Sequence, residues 1–191
     1  MEQKIREIIN RNGGEFYEKY FQNHINDWNI LCTSMDIIGD TTLAIHDFKK
    51  VGISQDDGEK YLRLYGLLQA VYLQQDAIKF LFEVIKKCFD NNKIKPWDDY
   101  KKDKWTVLRN YRNLTSGHPI ANNTFEKGKI KRVMVSRVTI SSVGFQLLIH
   151  DTQASGLQFQ NVNLENLIES YLSEAVIILS DVEGFLKKYV F

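Results

Sequence analysis

Arg112, Asn113 and His118 lie within one seven-residue run, RNLTSGH. Arg carries a permanent charge on a planar fork that grips phosphate oxygens. His moves protons near neutral pH. Together they supply what RNA cleavage without a metal requires. The substrate's own 2′-hydroxyl attacks the adjacent phosphate, His handles the protons, and Arg stabilises the charge that develops. Asn113 is placed to orient His118 or to hold ribose or phosphate. Gly117 and Pro119 flank His118, so the sequence predicts a helix break that keeps its side chain out of helix packing. Arg109 stands three positions before Arg112 and shares its helix face. The opposing expectation is structural: Arg112 pairs with an acid, and His118 caps a helix end.

The charge around the motif is uneven. From Lys86 to Arg137 there are fourteen Lys or Arg against five Asp or Glu, a net of +9, in a chain whose formal net charge is +1. A local excess of this size suits phosphate-bearing partners such as RNA. The window includes Lys129, Lys131, Arg132 and Arg137, candidates for substrate binding together with Arg109. Trp97, Tyr100, Trp105 and Tyr111 interleave with its lysines and offer rings for stacking on unpaired bases, although Trp105 reads better as core.

Other constellations compete. Asp36 and Asp40 share a helix face, and with His46 or Asp76 they could hold a metal. The simpler expectation is that they cap, or bond to the polar cluster Gln74-Gln75-Asp76. His24 reads as a packed core or interface histidine, and His150 as a turn residue. Neither a Ser/His/Asp set nor a Gly-rich phosphate loop appears. Cys32 and Cys88 sit in helical apolar patterns and read as reduced core thiols, with no zinc-like spacing around them. Neither a metal nor a cofactor is expected.

The elements that must position the motif are mostly helices. With 191 residues, 43% of them hydrophobic and only two prolines, the chain reads as one domain of uninterrupted helices. No signal peptide or membrane span is expected, which suits a cytoplasmic location. Gly13-Gly14 separates a short first helix from a second over Phe16–Trp28. Ser34 is a candidate cap for the next, whose stripe is Ile38, Ile45 and Phe48, and Gly52 ends it. A long helix runs from about Asp57 to Phe89, then a loop at Asn91–Asp99, then a helix from about Tyr100 to Thr115 with Trp105 and Leu108 facing inward. Lys129–Ile140 and Phe145–His150 read as a β-hairpin turning at Ser141–Gly144. Leu164–Tyr189 is the clearest helix, preceded by Asn161 and Asn163 as possible caps. The fold class is therefore all-α dominated: an α-helical bundle with a β-hairpin inserted at about 129–150, before a long C-terminal helix.

The run Arg112-Asn113…His118 in a small helical protein resembles the signature of the HEPN superfamily (higher eukaryotes and prokaryotes nucleotide-binding domains): an Arg, a polar residue, and a His after a short gap. The resemblance implies a helical bundle, usually homodimeric, in which Arg112 and His118 are catalytic and Asn113 supports them, the two copies converging on a cleft between protomers. Active members of that family are metal-independent endoribonucleases, often toxins, abortive-infection proteins or other anti-phage defence components. Two features depart from it. The position at which some toxin members carry a modifiable Tyr is Ile120 here, and the hairpin is not part of the minimal bundle. That hairpin suits an extended RNA platform or a dimer contact. The alternative is a non-catalytic HEPN-like module that binds RNA, a nucleotide or a protein partner such as an antitoxin; a purely structural dimer is the third.

Overall fold

The computed structural model describes residues 2–11, 13–89, 93–117, 131–151 and 156–189. Among them are six α-helices and one three-stranded antiparallel sheet that precedes the last helix. The helices are α1 (Glu2–Arg11), α2 (Gly13–Tyr20), α3 (Ile25–Val51), α4 (Asp57–Cys88), α5 (Asp103–Arg112) and α6 (Leu164–Tyr189). The strands are β1 (Lys131–Val135), β2 (Gly144–Asp151) and β3 (Leu157–Asn163). The chain is thus dominated by α-helix, as its apolar periodicity predicts. Among the described residues no helix is long and apolar enough to cross a membrane.

The chain divides into two compact units. The first comprises Met1–Leu43, Leu73–Lys102 and Leu172–Phe191. Its core is aliphatic and aromatic: Ile5, Ile9, Leu31, Ile38, Ile78, Leu81 and Ile178 are almost fully buried. Each such side chain contributes about 1.5–3 kcal/mol by leaving water. Phe16 packs at ring separations of 5.5 Å from Phe21, 6.3 Å from Trp28 and 6.0 Å from Phe89. That cluster explains a departure from the periodicity. Phe16–Trp28 is not one helix; α2 ends at Tyr20 and α3 begins at Ile25. Turning the chain there lets Phe21 and Trp28 both face Phe16. Ser34, a candidate cap, is instead buried inside α3.

The second unit comprises Ala44–Tyr72 and Asp103–Tyr171. Gly52 ends α3 with a φ of 74°, a left-handed turn that glycine adopts without a Cβ clash, and its N–H donates to the Phe48 carbonyl. Trp105 and Leu108 of α5 are buried as expected, Trp105 meeting Tyr171 edge-on at 5.6 Å.

The expected hairpin becomes three strands in the order β1-β2-β3. Lys131–Val135 pairs with Leu147–Asp151, and Gly144–His150 pairs with Leu157–Asn163. The start of the expected insertion, including Lys129, lies outside the described residues. The connection from β1 to β2 is longer than a tight turn and holds a 3-10 turn, Arg137–Thr139. Gly144 is required where it stands: a Cβ there would lie 1.9 Å from the Val162 carbonyl oxygen. Of the two asparagines read as caps, Asn163 caps α6 by accepting from the Asn166 N–H at 2.9 Å, whereas Asn161 lies in β3 and accepts from Gln146.

Candidate functional site

The motif begins on the last residue of α5. Arg112 closes that helix, and Asn113–Gly117 continue it as a five-residue π turn. Such turns widen the helix by one residue and recur at functional sites. Here the turn occupies the residues between Arg112 and His118. Thr115, almost fully buried, anchors it by donating to the Tyr111 carbonyl at 2.8 Å. His118 itself lies outside the described residues, as do Pro119, Ile120 and Lys129.

Arg112 is half-buried and held by neutral groups. Its Nε and Nη2 donate to Gln69 Oε1 at 3.1 and 3.0 Å, and its Nη1 donates to Asn113 Oδ1 at 3.1 Å. Its guanidinium carbon lies 4.3 Å from the centre of the Tyr72 ring. Arg109 reaches the same ring, at 4.4 Å. The i, i+3 spacing on α5 therefore puts two guanidiniums on one aromatic ring, each such contact contributing about 0.5–2 kcal/mol. Among the described residues no carboxylate forms an ion pair with Arg112. The expectation that it pairs with an acid is not met within them. The amide oxygens fix the fork without cancelling its charge.

Tyr111 ties this turn to the sheet. Its ring meets Phe145 edge-on at 6.2 Å, and its hydroxyl accepts from Gln160 Nε2 at 3.0 Å. Burial pushes the Tyr111 phenol up from its ordinary value, against the Gln160 bond.

Arg132 is placed apart from this group. Arg132 is exposed on β1, opposite His150, which in turn pairs with Leu157. Side chains alternate across a strand. That row therefore lies on the sheet face opposite to Phe145 and Gln160, which meet Tyr111. The structure groups Arg109, Arg112 and Asn113, and does not bring Arg132 to them. Lys131 opens β1 and pairs with Asp151 in the backbone register. The basic window is partly closed by acids outside it: Lys87 bonds Asp27 at 2.8 Å, and Arg137 lies 3.5 Å from Asp57. Sequence reasoning missed Gln69 and Tyr72. They lie some forty residues upstream on α4, and no spacing rule links them to the motif.

The competing constellations resolve differently. Asp36 accepts from Arg6 at 2.9 Å, and Gln74 donates to Thr42 at 2.9 Å and to the Ile38 carbonyl at 3.5 Å. Among the described residues no group of three or more His, Cys, Asp or Glu is arranged to hold a metal ion. The His24 side chain is 60% exposed, so it is not a core residue of its unit; it stands at the break between α2 and α3. His150 lies within β2 rather than in a turn. Cys32 and Cys88 are free and half-buried, and burial raises both thiols. A groove of about 590 Å³ in the first unit is lined by Glu2, Arg6, Asp36, Gln74 and Val176 among others, and its arginine is already neutralised.

No protein-family model matches the chain, and no curated protein or solved structure matches it.

Proposed function

We propose that the chain is a HEPN-like, metal-independent endoribonuclease that acts as a homodimer in the cytoplasm, in a toxin or anti-phage defence setting. The observation that carries this proposal is the company of Arg112: a cation held in place by Gln69, Asn113 and Tyr72, with no carboxylate paired to it among the described residues. In the proposed reaction the RNA 2′-hydroxyl attacks the adjacent phosphorus and the bond to the 5′-oxygen breaks. His118 takes the 2′ proton or delivers one to the leaving oxygen. Arg112 neutralises charge on the phosphoryl oxygens, and Asn113 keeps its fork aimed. Arg109, beside Arg112 on the Tyr72 ring, would hold a neighbouring phosphate.

The second reading is a non-catalytic HEPN-like module binding RNA, a nucleotide or a protein partner. It is favoured by one detail: two nitrogens of Arg112 are already bonded to Gln69, as a structural clamp would be.

Labelled RNAs of varied sequence, incubated with EDTA, separate the two. Wild type is expected to cleave, and Arg112→Ala and His118→Ala are each expected to lose activity by about 100-fold or more. Cleavage that survives both substitutions would remove the proposed site. Binding without cleavage by wild type would favour the module.

A further inference from the structure

β3 is an edge strand with an unusual surface. Leu157, Gln158, Phe159, Gln160 and Asn161 are consecutive, and all five are exposed. A strand packed on a core normally buries every second residue. Among the described residues, the backbone of these five bonds within the sheet to β2 alone. The other edge, β1, begins with Lys131 and Arg132, and cations are a usual guard against edge pairing. The five exposed residues of β3 contain no charge and no proline.

The register adds a second observation. Met134 pairs with Leu148, and Leu148 pairs with Phe159. Directly opposed residues share a face, so these three form one apolar row across the sheet. The row ends at the β3 edge with Phe159, 61% exposed, and Met134 at its far end is 55% exposed. The sequence around Phe159 is symmetrical, Gln158-Phe159-Gln160. An antiparallel copy with a two-fold axis at Phe159 sets Phe159 against its own copy on one face and Gln158 against Gln160 on the other. That is an isologous, self-complementary contact.

We propose that two copies of the chain associate through β3, antiparallel about Phe159, to form one continuous six-stranded sheet. Backbone hydrogen bonds close the open edge, and the apolar row runs on into the partner. A two-fold axis perpendicular to the sheet keeps corresponding faces on the same side. Gln160, on the face opposite Phe159, bonds Tyr111, the residue before Arg112. Both copies of the Arg112 turn therefore lie on one side of the shared sheet. The association itself does not depend on RNA cleavage, and its readouts are mass and cross-linking.

Sedimentation equilibrium of the full chain is expected to give a dimer. Phe159→Lys sets like charges at the two-fold axis and is expected to raise the dissociation constant by about tenfold or more, with the circular dichroism spectrum unchanged. A second test fixes the register. In a Cys32→Ser, Cys88→Ser background, Phe159→Cys is expected to form a covalent dimer under mild oxidation. Leu157→Cys alone is not, whereas Leu157→Cys mixed with Asn161→Cys is. A wild-type dimer that survives Phe159→Lys and resists cross-linking at 159 would overturn the proposal. So would a chain that stays monomeric at every concentration; if its RNA affinity then fell on Phe159→Ala, the apolar row would be a base-stacking surface instead.

Discussion

Arg6 in the first unit and Arg112 in the second are the same side chain in different company. Arg6 donates to Glu2 Oε1 at 2.7 Å and to Asp36 Oδ1 at 2.9 Å. Burial draws its guanidinium down, but the bonds to Glu2 and Asp36 and their charges outweigh it and hold it above its ordinary value. Arg112 is gripped as firmly, with three hydrogen bonds and an aromatic ring, by groups that carry no charge. The first arrangement neutralises a cation and the second orients one. The first unit repeats its pattern: Lys87 meets Asp27, Lys187 meets Glu183, and the Tyr100 hydroxyl donates to Asp181. In sequence Arg6 and Arg112 look alike, each with a carboxylate or an amide nearby. The difference between the two arginines lies in the partners the fold brings from far along the chain.

The largest expected effect is a dissociation between the two arginines. Arg112→Ala is expected to reduce cleavage by about 100-fold or more, while Arg6→Ala leaves it within about twofold. Arg112→Lys sharpens the test. It keeps the charge and loses the planar fork held by Gln69 and Asn113, so a substantial loss is expected there as well. Full activity in Arg112→Lys would show that charge alone suffices and that the orienting partners are incidental. Equal losses from Arg6→Ala and Arg112→Ala would erase the comparison.

Salt dependence gives a subtler separation. Binding of a 2′-O-methyl RNA, which cannot be cleaved by 2′-hydroxyl attack, should weaken with salt as counterions are released. Arg112→Gln is expected to reduce the slope of log affinity against log salt by about 1, as for any side chain that meets a phosphate. Arg6→Gln should leave the slope unchanged, because its charge is already met within the molecule. An unchanged slope in Arg112→Gln would mean that no phosphate reaches it.

Stability should separate the two arginines far less than activity does. Arg6→Ala leaves Glu2 and Asp36 without their cation. The expected cost is about 0.5–1 kcal/mol in urea unfolding, small because Arg6 is 34% and Asp36 65% exposed. Arg112→Ala gives up three hydrogen bonds to neutral groups and one ring contact, so a cost of about 1–2 kcal/mol is expected. Unfolding of Arg112→Ala without any change in the cleavage of its folded fraction would mark Arg112 as the structural clamp.

What the sequence made legible follows from how each feature is encoded. Helix α6 was readable to both ends because its apolar residues keep one face over 26 residues, and its cap, Asn163, precedes it directly. α4 was equally plain. Strand β3 was not, because LQFQNVN buries only Val162 and so carries no alternation of the kind that marks a half-buried strand. Its asparagines looked like helix caps, and one of them is. The break at Phe21–His24 was hidden because aromatic residues fall at helical spacing on both sides of it, while α2 ends at Tyr20 and α3 begins at Ile25. At the candidate site, Arg112 and Asn113 were singled out by local spacing. The π turn was not, since a shifted hydrogen-bond pattern leaves no residue signature, and neither were Gln69 and Tyr72, whose contacts with Arg112 exist only once α4 and α5 pack.

The smallest expected effect concerns acid. Glu183 accepts from Lys187 Nζ at 2.6 Å, and that bond holds its carboxyl below the ordinary value, against a weaker opposing pull from burial. A carboxyl depressed in the folded state contributes stability at pH values above its ordinary range, and the contribution fades as pH falls through the lowered value. The Lys187 side chain is 60% exposed, so solvent screens the pair and the contribution is a few tenths of a kcal/mol. Urea unfolding of wild type and Lys187→Met should therefore differ slightly at pH 7, and the two should converge towards pH 3. Arg112→Met should show no such convergence, because the side chains that bond Arg112, Gln69 and Asn113, are neutral amides. A difference between wild type and Arg112→Met that collapses in acid would reveal a carboxylate on Arg112, and its charge would then be closed in the manner of Arg6.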